Sequence, residues 1–177
     1  MSPKHKAYHR ILAIAPCSTG FGYALLEGEA LVEWGVRSVK GDKNSGSVAK
    51  VEELMFRYEP EVVVLEDTGA EGSRRSPRIR ELSQRIFAMS LARKVPVAWF
   101  RREQIMRFCF GNGKGTKQEM AQIVAKSFPD ELGTRVPPAR RTWKSQDYRI
   151  DMFDAVALAL MLRLHGTSSI ASAEDSR

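Results

Sequence analysis

The chain has 177 residues, 43% of them hydrophobic and 28% charged, with a formal net charge of +7 and a pI near 9.6. That length and apolar content suit one domain with a substantial core and leave no case for two. The excess of Lys and Arg favours a polyanionic partner, because clustered cations displace counterions from a phosphate backbone.

The first predicted element is a buried strand over Arg10 to Ala15, an apolar run closed by Pro16. Two further strands follow over Phe21 to Glu27 and Leu31 to Val39, joined by a tight turn at Gly28, so the chain begins as a meander. Ser47 to Tyr58 has helical spacing at Val48, Val51, Leu54 and Met55, and Pro60 stops it before the strand-like run Val62 to Glu66. A helix is predicted over Pro77 to Lys94, with an apolar stripe at Ile79, Leu82, Ile86 and Met89. A strand over Val95 to Phe100 and a short helix over Glu103 to Phe110 come next. After the loop Gly111 to Gly115, Thr116 caps a helix reaching Phe128, with Glu119 completing a capping box. Pro129 to Arg149, rich in Pro and Arg, reads as irregular, and a last helix covers Ile150 to Leu164.

The expectation is thus an α/β domain over residues 1–165, a mixed five-stranded sheet covered by helices, and a disordered Ser-rich tail over 166–177. Cys17 and Cys109 lie far apart and in no metal-ligand spacing, which argues against a zinc site and a disulfide framework. No segment has the uncharged length of a membrane span, and the basic stretch Met1 to Arg10 lacks the apolar core of an export signal. A soluble, cytoplasmic protein without a membrane partner is expected.

Glu66 ends a run, Val62 to Leu65, that reads as a strand buried on both faces. A carboxylate there is costly unless it is paired, binds a metal or points to solvent. Asp67 follows at once, but alternate strand residues face opposite ways, so only one of the two can share a site with the neighbouring strand. Asp151 and Asp154 are three apart at the start of the last helix and so share one face. Acidic residues at a helix N-terminus are favoured by the macrodipole alone. The surrounding turn, however, is Met152, Phe153, Ala155, Val156 and Ala157, which puts these two at the edge of a core. Like charges held that close repel unless a cation lies between them. Glu66, Asp151 and Asp154 suit a site for hard divalent ions of the kind that, in pairs, activate water and stabilise the leaving oxygen in phosphodiester cleavage.

The run Ile11-Leu12-Ala13-Ile14-Ala15-Pro16-Cys17-Ser18-Thr19-Gly20-Phe21-Gly22-Tyr23-Ala24 resembles the first strand and turn of the RuvC family of Holliday junction resolvases, in the RNase H-like superfamily. Val63 to Glu66 resembles that family's second acidic strand, Asp151-Met152-Phe153-Asp154-Ala155 its last acidic helix, and Lys114-Gly115-Thr116-Lys117-Gln118 its basic loop. These matches span most of the chain in the right order. The resemblance implies an RNase H-like fold, a homodimer, and a magnesium-dependent (or manganese-dependent) endonuclease cutting four-way or other branched DNA. It implies that Glu66, Asp151 and Asp154 ligate metal, two ions in an intact site. In that family an aspartate stands where this chain has Ala15. A methyl group cannot ligate metal, so cleavage by this chain is expected to be impaired. With the other three acids retained, Ala15 reads as an isolated loss, recent or engineered. The family also carries an aromatic residue at the place of Gly69, which it uses to unstack the junction.

Arg74, Arg75, Lys114, Lys117, Arg140, Arg141 and Lys144 are the expected nucleic-acid contacts, and further cations recur at Arg78, Arg80, Arg101, Arg102, Arg107, Arg135 and Arg149. Trp143 is placed either to stack on a base or to cover the core edge. Gly111-Asn112-Gly113-Lys114-Gly115 lacks the spacing of a phosphate-binding loop, which argues against nucleoside triphosphate hydrolysis. His165 lies three turns from Asp154, too far to share its metal. Two other readings stay open: a protein that binds branched DNA without cutting it, and a RuvX-type nuclease acting on RNA precursors.

Overall fold

The computed structural model describes residues 7–145, 147–166 and 170–171. The chain opens with the expected meander: β1 (Arg10–Pro16), β2 (Gly20–Glu27) and β3 (Ala30–Ser38), paired antiparallel in sequence. Helix α1 (Lys43–Tyr58) starts four residues before the predicted point, because Asp42 caps it by accepting a 3.0 Å hydrogen bond from the Ser45 amide. β4 (Val62–Glu66) then pairs parallel with β1, α2 (Pro77–Ala92) crosses back, and β5 (Val97–Phe100) pairs parallel with β4.

Helices α3 (Arg102–Phe110) and α4 (Lys117–Ala125) follow, the latter with the predicted Thr116–Glu119 capping box. The segment expected to be irregular contains a short helix, α5 (Pro129–Leu132), which Pro129 initiates. Helix α6 (Ile150–His165) is the last, one residue longer than predicted. Of the predicted tail, Ile170–Ala171 forms a short strand, β6, antiparallel to β5, and residues 167–169 and 172–177 lie outside the described residues. The sheet order is β3-β2-β1-β4-β5-β6: the five expected strands, with β6 added at one edge.

Period-two alternation divides the sheet's side chains between two cores. Leu12, Ile14, Leu25, Val63 and Leu65 face α1 and α2. Ile11, Ala13, Ala15, Ala24, Val62 and Val64 face α6, with α3, α4 and α5 packed around it. Helix α6 is buried from Met152 to Leu162, so its polar residues cannot reach bulk water by rotation alone. Among the described residues, no helix is long and apolar enough to cross a membrane.

Gly22 fixes how closely α6 lies on the sheet. It pairs with Ala15 across β1 and β2, and a Cβ at Gly22 would collide with the backbone carbonyl of Asp151. A methyl group there forces α6 off β2. Gly22→Ala is therefore expected to lose about 1–3 kcal/mol in urea denaturation. Gly69→Ala, whose added atom meets only the tip of Asp67 at 3.7 Å, stays within about 0.5 kcal/mol of the parent. Equal stability of the two variants would contradict this packing.

Candidate acidic centre and its basic surround

Glu66 ends β4 and, two residues after Val64, shares that residue's α6-facing side of the sheet. The β1–β4 register pairs Ile14 with Leu65, so one further step brings Ala15 level with Glu66. Asp151 and Asp154 come down on the same side from the first turns of α6. Ala15, Glu66, Asp151 and Asp154 thus meet at the carboxyl ends of the parallel strands. Asp67 lines the cleft beside Glu66 and accepts a 3.2 Å hydrogen bond from the Gly69 amide.

Each carboxylate is paired with a cation. Arg75 donates from Nε and Nη2 to the two oxygens of Glu66, at 3.3 and 2.5 Å. Lys117 Nζ lies between the aspartates, 3.5 Å from Asp151 Oδ1 and 3.0 Å from Asp154 Oδ2. Arg102 Nη1 is 3.3 Å from Asp154 Oδ1. Glu66 and Asp154 are only 7% and 5% exposed, so these contacts act where water screens them weakly.

The electrostatics differ between the two aspartates. Burial pushes the Asp154 carboxyl up, but Lys117, Arg102 and Arg75 together outweigh it and hold its pKa below the ordinary value. Burial pushes Asp151 up, Lys117 offsets only part of this, and the negative charge of Asp154 adds to it. Burial lowers the Arg75 guanidinium, yet its bonds to Glu66 leave it raised overall. Cys17, from the β1–β2 turn, lies against Asp151; burial and that carboxylate raise its thiol, so it is neutral at physiological pH. Both cysteines are free.

The donor set is a poor home for a divalent ion. Among the described residues, no group of three or more His, Cys, Asp or Glu side chains is placed to hold a metal ion. The three carboxylates already carry three side-chain cations, and the fourth corner is the Ala15 methyl. As arranged, these residues do not fit a divalent ion.

Two clefts meet at Lys117. One, of about 460 Å³, is lined by Glu66, Asp67, the 70–75 loop, Arg101, Arg102, Glu103 and Lys117, and so contains Arg74 and Arg75. The other, of about 1150 Å³, is bounded by Thr116 to Glu119, Arg140, Arg141, Lys144 and Tyr148. Lys114 is exposed in the loop before Thr116. Trp143 is 75% exposed with the Arg141 guanidinium 5.7 Å above its ring, so it does not cover the core. Arg78 serves the scaffold instead, donating to the carbonyls of Cys17 and Ser18 and to Asn44 and so tying the β1–β2 turn to α2. Arg149 is paired with Asp147, and His165 packs edge-on against Phe108.

Sequence reasoning missed Arg102 as a partner of Asp154 and Cys17 as a neighbour of Asp151. A signal for Arg102 existed: β5 runs parallel to β4, so the residues just after Phe100 emerge at the same edge as Glu66. Arg75 and Lys117 were expected on phosphate, and they turn inward to the carboxylates.

The sequence matches no family model and no curated protein. Solved structures do match. RuvC of Thermus thermophilus superposes with a TM-score of 0.63 at 20% identity, covering 89% of this chain and 98% of that one. RuvC of the same organism in complex with a Holliday junction substrate gives 0.65 at 18% identity, covering 89% and 94%. The yeast mitochondrial Holliday junction resolvase gives 0.58 at 15% identity, covering 89% and 78%. The fold is the RNase H-like fold of RuvC.

Removing Lys117 exposes how the centre is balanced. Lys117→Met leaves two adjacent aspartates with Arg102 as the one cation among the described residues still in ion-pair contact, and breaking a buried pair in this way costs about 3 kcal/mol at pH 7. Because the folded pKa of Asp154 is depressed, its ion-pair stabilisation is present above the unfolded value of about 3.9 and is lost as pH falls through the folded value. Asp151, with its folded pKa raised, works in the opposite sense. Urea denaturation should show the Lys117→Met deficit in full at neutral pH and shrinking in acid. A deficit independent of pH would mean that Lys117 acts through packing alone.

Proposed function

We propose that the chain is a branched-DNA-binding protein built on a crossover-junction endodeoxyribonuclease fold, in which cleavage is lost or weak. The observation that carries this reading is the pairing of Glu66, Asp151 and Asp154 with Arg75, Arg102 and Lys117 beside Ala15. The carboxylates of a nuclease are present, while the position of the first ligand is vacant. The structural neighbours support the choice of substrate, since one of them was solved with a Holliday junction and another is a Holliday junction resolvase.

On this reading DNA lies over the two clefts that join at Lys117. Arg74 and Arg101 flank one strand, and Arg140, Arg141 and Lys144 flank another, with Lys114 on the exposed loop before Thr116. These side chains act on phosphate and set register, without reading sequence. A homodimer fits, because a four-way junction offers two-fold related strands to a two-fold related pair of sites. The setting is DNA recombination and repair in the cytoplasm.

Electrophoretic binding to four-way, three-way and linear DNA of equal length tests the reading. The four-way form should bind at least about tenfold more tightly, a difference of about 1.4 kcal/mol, with no cleavage of any form. Neutralising Arg140, Arg141 and Lys144 together should weaken binding to every form and reduce the salt slope by about one unit for each phosphate no longer neutralised. Equal affinity for linear and branched DNA would defeat the proposal, as would efficient cutting by the chain with Ala15.

A further inference from the structure

The charges of the centre cancel within ion-pair distance. Glu66, Asp151 and Asp154 supply three negative charges, and Arg75, Arg102 and Lys117 supply three positive ones. A hard divalent ion draws its affinity from carboxylates that lack another counter-charge. Here it would have to displace Arg75 from a two-point contact and expel Lys117 from between two aspartates. An aspartate at position 15 would not by itself remove either obstacle.

We propose that Arg75, Arg102 and Lys117 take the place of divalent ions as built-in counter-charges of Glu66, Asp151 and Asp154, and that this metal-independent centre receives a DNA phosphodiester directly. The choice of DNA as ligand rests on the functional reading above; the substitution of side chains for metal does not. Three bare carboxylates repel a phosphate, so a nuclease centre of this kind needs its ions before substrate can approach. The compensated centre has no such requirement.

Its cations also keep donors to offer. The side chains of Arg75, Arg102 and Lys117 are 25%, 34% and 27% exposed, so they open to solvent while Glu66 and Asp154 behind them do not. Arg102 uses only Nη1 on Asp154, which leaves Nε and Nη2 for a phosphate oxygen pair. All three line the same cleft as Arg74 and Arg101. The three cations reach the centre from separate segments. Arg75 comes from the loop after β4, Arg102 begins α3, and Lys117 begins α4 behind its capping box.

Manganese binding, followed by electron paramagnetic resonance on the full chain, tests the substitution without any reference to DNA. The parent chain should show no saturable binding into the millimolar range, and Ala15→Asp should show none either. Ala15→Asp combined with Arg75→Gln and Lys117→Gln, which removes both obstacles, should bind saturably in that range and at least about tenfold more tightly than Ala15→Asp. Saturable binding by the parent or by Ala15→Asp alone overturns the proposal, and so does a folded triple variant that gains nothing. If the triple variant does not fold, the parent decides the matter through the Nε–H resonance of Arg75, assigned by its loss in Arg75→Lys. An unchanged resonance on adding magnesium supports the proposal, and its displacement refutes it. In parallel, four-way junction affinity should be the same in magnesium and in chelator. A metal requirement for that affinity overturns the metal-free phosphate seat, whereas absence of DNA binding in both conditions would count against the functional reading and leave the manganese result standing.

Discussion

Gathering three carboxylates, two of them buried, at one end of a sheet is the constraint on which the rest of this structure depends. Moving such groups out of water costs several kcal/mol each, about what a small domain has as its whole net stability. Glu66 cannot escape, because it ends a strand whose other residues are fully covered. Asp154 cannot escape either, because it sits on a helix buried on all sides. The centre must therefore be neutralised from its rim. The rim supplies Arg75, Arg102 and Lys117, and in doing so it ties the loop after β4, the start of α3 and the start of α4 to the same point.

That tie works only if α6 lies close to the sheet, which is a matter of small side chains. Ala13, Ala15 and Ala24 face the helix from β1 and β2, Gly22 admits the Asp151 turn, and α6 brings Ala155 and Ala159, four apart on one face. A larger side chain along this seam would lift the helix and carry both aspartates away from Lys117. Arg78 holds the adjoining β1–β2 turn from the other side of the sheet. Packing and charge balance are thus one arrangement: the apolar seam sets the distances at which the ion pairs form.

Much of this was legible in the sequence. Helices α1 and α2 follow from periodicity, because each has a distinct buried face, whereas β1, β4 and α6 were legible as continuous apolar runs. The Thr116–Glu119 box was readable because a cap is local chemistry within four residues. The acidic residues were legible as misfits, charges set in apolar runs. Their partners were not. Arg75 lies nine residues from Glu66, Arg102 fifty-two from Asp154, and Lys117 thirty-four from Asp151. In a chain carrying 28 Lys and Arg residues, nothing local separates a cation that faces a carboxylate from one that faces solvent. The α5 turn escaped for a related reason: four residues are too few to show a period, and Pro129 reads equally as a helix start or a loop residue.

Ala15 takes on a different meaning once the charges are placed. Viewed along the sequence, it is one missing ligand in an otherwise complete set, and restoring aspartate would complete it. In the folded chain an aspartate there would enter a position 7% exposed, level with Glu66 and paired across the strands with Gly22, which abuts Asp151. It would make four carboxylates against three cations. The neutral thiol of Cys17 would be no counterweight, since it already lies against Asp151 and cannot carry positive charge. The added charge would have to be protonated, find a new cation or move the existing ones. The methyl group, by contrast, leaves the count even and fills the seam beneath α6. Ala15 is thus consistent with its surroundings in both volume and charge.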